Sequence, residues 1–383
     1  MNGIIEPAVK SIAARTPVLP HINALPHYIP GKSERTVARD YGLTRIVTLA
    51  SNENPLGCSP RVAEALTAHL TRGDAASTAL ARYPDSDAFE LREALATYHQ
   101  VPSDHIAVTN GSHELIDLCA ALCLRDGAEG VHAQYAFQAY PISIKARGAT
   151  AIEVPAREFG HDAGAMCDAL TARTRLVYIC NPNNPTGTLL SQAEIEQIID
   201  ATGPDTLVVL DEAYIDYLDP SLRVDATALV ARHPNLIVAR TFSKAYGLAS
   251  LRIGYGIMQP HLADAIARIR PTFSVNALAQ RAAVAALADR MFLMQTQDAN
   301  RRGIEQITRA LSHAKIAYVP THANFIAIHV RDAAVVAQRM VQAGVVVRPL
   351  AAYALDNMLR VTVGTEEENA AFLDALFTAL DIR

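Results

Sequence analysis

The chain has 383 residues, half of them hydrophobic, with 34 Lys and Arg against 39 Asp and Glu for a formal net charge of −5. A chain of this size buries a substantial core, and its mildly acidic balance without a long basic stripe argues against a nucleic-acid partner. No apolar run approaches the ~20 residues of a membrane span, and the opening MNGIIEPAVKSIAARTP lacks a basic flank followed by an apolar signal core. The expectation is a cytoplasmic protein without membrane contact.

Residues 1–45 are rich in Pro and polar groups without strong periodicity, and read as an arm that packs on something else. Residues 46–275 read as a large domain. From about 104 to 258, the short apolar runs IAVT, AIEV, LVYIC, LVVLDE, LIVART and GYGIM alternate with amphipathic stretches, which predicts a largely parallel sheet covered by helices. Gly111-Ser112 opens the helical run HELIDLCAALCL, expected to stop at Gly127, and Ser191 with Glu194 forms a capping box. Residues 276–383 change texture. A long Ala-rich helical stretch is followed by IAYV, NFIAIHV, a helix over 333–343, VVVR, LRVTV and a last helix capped by Thr365 with Glu368. These make a smaller α+β domain. The five cysteines, Cys58, Cys119, Cys123, Cys167 and Cys180, are dispersed through mostly apolar stretches and read as reduced, buried thiols. The thirteen histidines form no zinc-protease pair, so no metal is expected.

Chemistry concentrates in a few strings. Asn110-Gly111-Ser112-His113 follows the strand IAVT and opens a helix, so its free N–H groups and the positive helix end suit an anion, as well as plain helix capping. In YAFQAY, Tyr135, Phe137 and Tyr140 suit core packing. Phe137 is the choice to face a flat ligand. NPNNPTG at 181–187 follows a buried strand, and its prolines and glycine fix a tight loop that can aim Asn184. Asp211 ends the strand LVVL at the carboxyl edge of a parallel sheet, where α/β ligands bind, although Asp211-Glu212 also suits an ordinary turn. Lys244 comes one strand-helix-strand unit later, with Thr241 and Ser243 before it and Arg252 after it on the same loop. Most lysines in such loops are merely solvated. Together, an amine, a carboxylate for a pyridine nitrogen, donors for a ring oxygen and a phosphate cradle suggest covalently held pyridoxal 5'-phosphate.

The ordered blocks LPHYIPGK, LASNENPLG, RYPD, TNGSHE, YAFQAY, NPNNPTG, DEAY, SKAYGLASLR, VNALAQ, NFIAIHV, VVVRPL and LRVTVGT cover nearly the whole chain. They resemble fold-type I pyridoxal-phosphate aminotransferases, and within them the histidinol-phosphate aminotransferase family. The resemblance implies a transamination between a small-molecule amino donor, L-histidinol phosphate, and a 2-oxo acid, 2-oxoglutarate, in histidine biosynthesis. It implies that Lys244 carries the cofactor aldehyde, that Asp211 meets the pyridine nitrogen, and that Asn184 and Tyr214 hold the ring oxygen. The phosphate then falls to Gly111, Ser112, His113, Thr241, Ser243 and Arg252. Tyr83 reaches across from a second subunit, which implies a homodimer. Arg360 is placed at the substrate α-carboxylate, and Arg348 and Tyr28 at the distal phosphate.

The departures from the family pattern fall near the substrate: His27, His113, Ser250, and Ala352 and Ala354 around Tyr353. Three other readings share parts of this plan: an aromatic aminotransferase, a lyase such as threonine-phosphate decarboxylase, and a cofactor-binding regulatory module. The last is disfavoured by the retained Lys244 and Asp211 and by the lack of a DNA-binding helix-turn-helix segment.

Overall fold

The computed structural model describes residues 17–26, 34–71 and 80–382. Strand β1 (Val47–Thr48) is followed by β2 (Ile106–Thr109), β3 (Glu129–Ala133), β4 (Thr150–Val154), β5 (Thr174–Cys180), β6 (Leu207–Asp211), β7 (Leu236–Thr241) and β8 (Gly254–Met258). The last seven make one sheet in the order β2-β8-β7-β6-β5-β3-β4, parallel throughout except for β8, which runs antiparallel to both β2 and β7. Every residue of β6 and β8 is buried, so both faces of the sheet are covered, and this is why the strands read as continuous apolar runs. Helix Ser112–Cys123 lies across the middle of the sheet, touching β2 and β5 to β8.

The helix expected to run toward Gly127 ends at Cys123. Leu124 is already extended, and Gly127 with φ +83° serves the turn that leads into β3. Strand β3, EGVHA, has no counterpart among the sequence expectations. Gly130 and the polar Glu129 and His132 hide it, yet all five residues are buried. Gly130 is small because a Cβ there would meet Ile144 Cδ1 at 2.7 Å.

A second sheet contains β9 (Tyr318–Val319), β10 (Phe325–His329), β12 (Arg348–Leu350) and β13 (Leu355–Thr362), antiparallel in the order β12-β13-β10-β9. Between them in sequence, β11 (Val345–Val346) pairs in parallel with β1. Val47 and Leu49, grouped with the large domain by sequence, pack in the core of this second sheet beside Ile326, Leu359 and Phe372. The 24-residue helix Arg290–His313 links the two cores. Leu293 near its start packs on the first, and Ile307 and Leu311 near its end pack in the second.

Candidate functional site

Parallel topology brings the carboxyl ends of β2, β5, β6 and β7 to one edge of the large sheet. Gly254, where antiparallel β8 starts, stands at that edge opposite both Thr109 and Thr241. The loops that carry Gly111, Asn184, Asp211 and Lys244 therefore converge there, the usual ligand edge of an open α/β sheet.

Asp211 is buried at the end of β6. Its Oδ2 accepts from the Tyr140 hydroxyl at 2.7 Å and its Oδ1 from the Ala213 N–H at 3.1 Å. Burial pushes this carboxyl upward, while the Tyr140 and Ala213 donors and the nearby His113 and Lys244 pull it back. Tyr140 thus supports the acid, a role that its apolar setting in YAFQAY did not announce. It also stacks on Tyr178 with centroids 4.5 Å apart.

Lys244 Nζ donates to the Ser51 carbonyl at 2.9 Å and lies 5.9 Å from the centroid of the Tyr214 ring. Lost hydration and then the Arg360 charge lower its amine to about 8, with Arg252 acting in the same sense against Glu53 and Asp211. Tyr214 is buried, and its hydroxyl accepts from Asn52 Nδ2 at 2.8 Å, which leaves its own O–H free to donate elsewhere. Asn184 Oδ1 accepts from Arg360 Nη1 at 2.5 Å, so the amide N–H₂ of Asn184 is turned away from that arginine. Arg360 Nη2 also donates to the Ala50 carbonyl at 2.7 Å, and its guanidinium lies 5.3 Å from the Phe325 ring centroid.

The Ala50 to Asn54 stretch, read from sequence only as a block of likeness, therefore touches three of the site's side chains. Asn52 and Asn54 are buried polar residues, and Asn54 Nδ2 donates to the Ala245 carbonyl at 2.9 Å. The usable signal is the density of amide side chains in SNENP, directly after an apolar pair.

The expected anion cradle is drawn tightly. Gly111 has φ +83°, and a Cβ there would stand 2.7 Å from Arg252 Nη2, so the guanidinium lies directly against the helix start. The first-turn N–H groups of Ser112 and His113 lack intrahelical acceptors, and among the described residues no side chain caps them. Arg252 Nη1 donates to Ser243 Oγ at 3.3 Å, and Thr241 Oγ1 accepts from the Ser243 N–H at 3.1 Å. His113 is half exposed, 3.9 Å from Asp117. Phe137 is edge-on to both His113 and Tyr140, each at 5.8 Å. Backbone donors, two hydroxyls and a guanidinium beside an amine and a buried carboxyl fit the donor set that pyridoxal phosphate requires.

In the second sheet, Arg348 stands directly across from Arg360 in the β12 and β13 register, and opposed residues of an antiparallel pair share one face. Arg348 lines a cavity of about 460 Å³ with Tyr135, Gln138 and Tyr353. Ala354 adopts φ +57°, a conformation suited to glycine, without one. Tyr83 instead lies on the surface, 80% exposed and stacked on Phe273 at 4.5 Å. Tyr28 and His27 lie outside the described residues. Buried Cys180 sits beside Asp211, and loss of hydration pushes its thiol up to about 12.

The family model described as aminotransferase class I and II matches residues 44–376. The chain is 45% identical to histidinol-phosphate aminotransferase 2 of Ralstonia nicotianae, over 94% of this chain and 96% of that protein. It is 46% identical to histidinol-phosphate aminotransferase 1 of Cupriavidus pinatubonensis at the same coverage. Among solved structures, that of histidinol-phosphate aminotransferase from Sinorhizobium meliloti in complex with pyridoxal-5'-phosphate is similar with a TM-score of 0.87 and 27% identity, covering 97% of this chain and 99% of that one.

Proposed function

The chain belongs to the class I and II aminotransferases, and from that membership we propose that it transfers an amino group between L-histidinol phosphate and 2-oxoglutarate with pyridoxal 5'-phosphate as cofactor. The products are imidazole acetol phosphate and L-glutamate, a step of histidine biosynthesis. The observation that carries this reading is the 45% identity to a histidinol-phosphate aminotransferase across 94% of the chain.

When bound, the cofactor supplies an aldehyde that takes up the amino group and a ring that accepts the electron pair left at the substrate carbon. The Gly111, Ser112 and His113 backbone, Thr241, Ser243 and Arg252 would hold its phosphate, and Phe137 would pack against it. The Lys244 amine, partly neutral near pH 8 because of its lowered pKa, would hold the aldehyde. With a donor in the site, Lys244 Nζ would serve as the general base that takes the donor's Cα proton. Asp211 would keep a proton on the ring nitrogen. Asn184 through its N–H₂ and Tyr214 through its O–H would donate to the ring oxygen, their acceptor sides being engaged by Arg360 and Asn52.

Arg360 takes the α-carboxylate of glutamate, and Arg348 with Tyr28 takes the phosphate ester of histidinol phosphate or the second carboxylate of glutamate. A planar guanidinium fork suits all of these anions. We assign a cytoplasmic homodimer in which Tyr83 completes the partner's cradle. Its 80% exposure leaves the ring available for that contact.

The test is kcat/KM for histidinol phosphate, phenylalanine and tyrosine in the wild type and in Arg348→Ala. The substitution should cost the phosphorylated donor about 10–100-fold, the worth of lost hydrogen bonds to a charged group, and spare the other two. Equal losses for all three would remove Arg348 from phosphate recognition. A wild type that prefers phenylalanine, or releases carbon dioxide from an amino acid, would overturn the substrate or the reaction.

A further inference from the structure

Strand β5 ends with a backbone donor that the sheet does not use. The Asn181 N–H donates to the Asp211 carbonyl at 2.9 Å on the β6 side, so the preceding Cys180 N–H faces the other way, toward β3. The β3 pairing has ended by then: its register with β5 runs only to Val131 opposite Val177, and the Gln134 N–H already goes to Val154. Cys180 is buried, and a buried N–H must find an acceptor. It finds His161 Nε2 at 3.3 Å.

Because the backbone N–H donates, Nε2 carries no proton, so the imidazole is neutral with its hydrogen on Nδ1. Burial, with neighbouring His132 adding to it, favours that state by lowering the imidazole to about 4. The approach to His161 is itself constrained. Arg157 and Gly160 exchange backbone hydrogen bonds of 3.1 and 2.8 Å around Glu158 and Phe159, whose φ values are +49° and +65°. Two successive positive φ values make a primed hairpin turn, which ordinarily takes Asn or Gly there, and non-glycine residues hold it only where their surroundings dictate it. Gly160 packs against residue 188, since a Cβ there would stand 2.9 Å from Thr188 Oγ1. The turn is thus keyed to the far side of the loop that β5 enters.

We propose that His161 is a positioning residue for the Asn184 loop, its neutral imidazole fixing the carboxyl end of β5 and so the direction of the Asn184 amide. The Asn181 side chain then clasps the base of that loop through the Leu190 N–H at 2.8 Å, and Asn184 meets Arg360. The inference rests on the functional reading above, in which Asn184 serves the cofactor's ring oxygen.

The experiment titrates pyridoxal phosphate into the cofactor-free wild type, H161L, H161Q, N184A and H161L/N184A, following the dissociation constant, the absorption maximum of the bound cofactor and the thermal midpoint of each free chain. H161L should weaken binding by about fivefold or more, as a lost hydrogen bond does, and shift the absorption in the direction of N184A. H161Q, whose Oε1 can accept from the Cys180 N–H, should recover most of both. The double variant should be within about twofold of N184A, since the two residues act in series. Wild-type binding and absorption in H161L, equal losses in H161L and H161Q, or multiplied losses in the double variant would each overturn the inference, whatever the thermal midpoint does. If H161L does not fold, H161M takes its place under the same criteria. Wild-type uptake with an unaffected H161L overturns this inference alone, and no wild-type uptake overturns the functional reading with it.

Discussion

Lys244 sits where several charges act on one amine. Lost hydration, Arg360 and Arg252 disfavour its proton, and Glu53 and Asp211 favour it, with a balance that lowers the amine to about 8. A lowered pKa leaves more of the amine neutral at a given pH, and only the neutral form attacks an aldehyde. Amine labelling of the cofactor-free chain across pH 6 to 11, read site by site by mass spectrometry, should therefore show Lys244 reacting with a midpoint near 8. An unperturbed lysine has its midpoint at about 10.4, and a Lys244 midpoint there would show that the surrounding cations do not act on it. The residues that make this environment differ in legibility. Lys244, Asp211 and Arg252 stood out because their residue types and order match one chemistry. Asn52 and Tyr140 did not, because each acts on another side chain across 162 or 71 positions of sequence, a relation that no local pattern carries.

At the scale of elements, the site depends on how closely β8 enters the edge where β2 and β7 end. A Cβ on Gly254 would lie 2.4 Å from the Ser112 backbone nitrogen and 2.9 Å from the Arg240 carbonyl, contacts with backbone that no rotamer relieves. Gly254→Ala should therefore lower stability by about 1–3 kcal/mol, the usual cost of overpacking, and should push the cradle's helix start away from Thr241. Gly203→Ala is the matched control. Among the described residues nothing lies within 4 Å of its Cβ position, and its denaturation midpoint should move by no more than about 0.5 kcal/mol equivalent. If the two variants melt alike in urea, the close approach at Gly254 has no energetic weight. The parallel sheet itself was legible, since strands buried on both faces become unbroken apolar runs such as LVYIC and LVVL. β3 escaped because Gly130 had to be small beneath Ile144 and because Glu129 is paired by Arg173 at the sheet's edge, which put non-apolar letters into a buried strand. The reversed direction of β8 escaped for a different reason: an apolar run looks the same read from either end.

For the whole molecule, Tyr83 decides whether one chain makes a complete site. Tyr83 is far more exposed than an aromatic ring in a finished core, and exposed Leu80 and Phe89 lie near it in sequence, with Phe273 stacked upon it. If the Tyr83 ring serves the phosphate cradle of a second copy, each site of a homodimer draws Lys244 from one chain and Tyr83 from the other. Two crippled chains can then repair each other. Lys244→Ala and Tyr83→Ala homodimers should each be poorly active. Unfolded together in equal amounts and refolded, they should form hybrids in which both substitutions fall in the same site, leaving the other site intact. Random pairing makes half of the dimers hybrid with one of two sites restored, so the mixture should regain about a quarter of wild-type activity, as a two-fold symmetric pair requires. Sedimentation of the refolded mixture supplies the check on assembly. A dimeric mixture no more active than the mean of its parents would place Tyr83 outside the partner's site, and a monomeric active wild type would remove the shared site altogether.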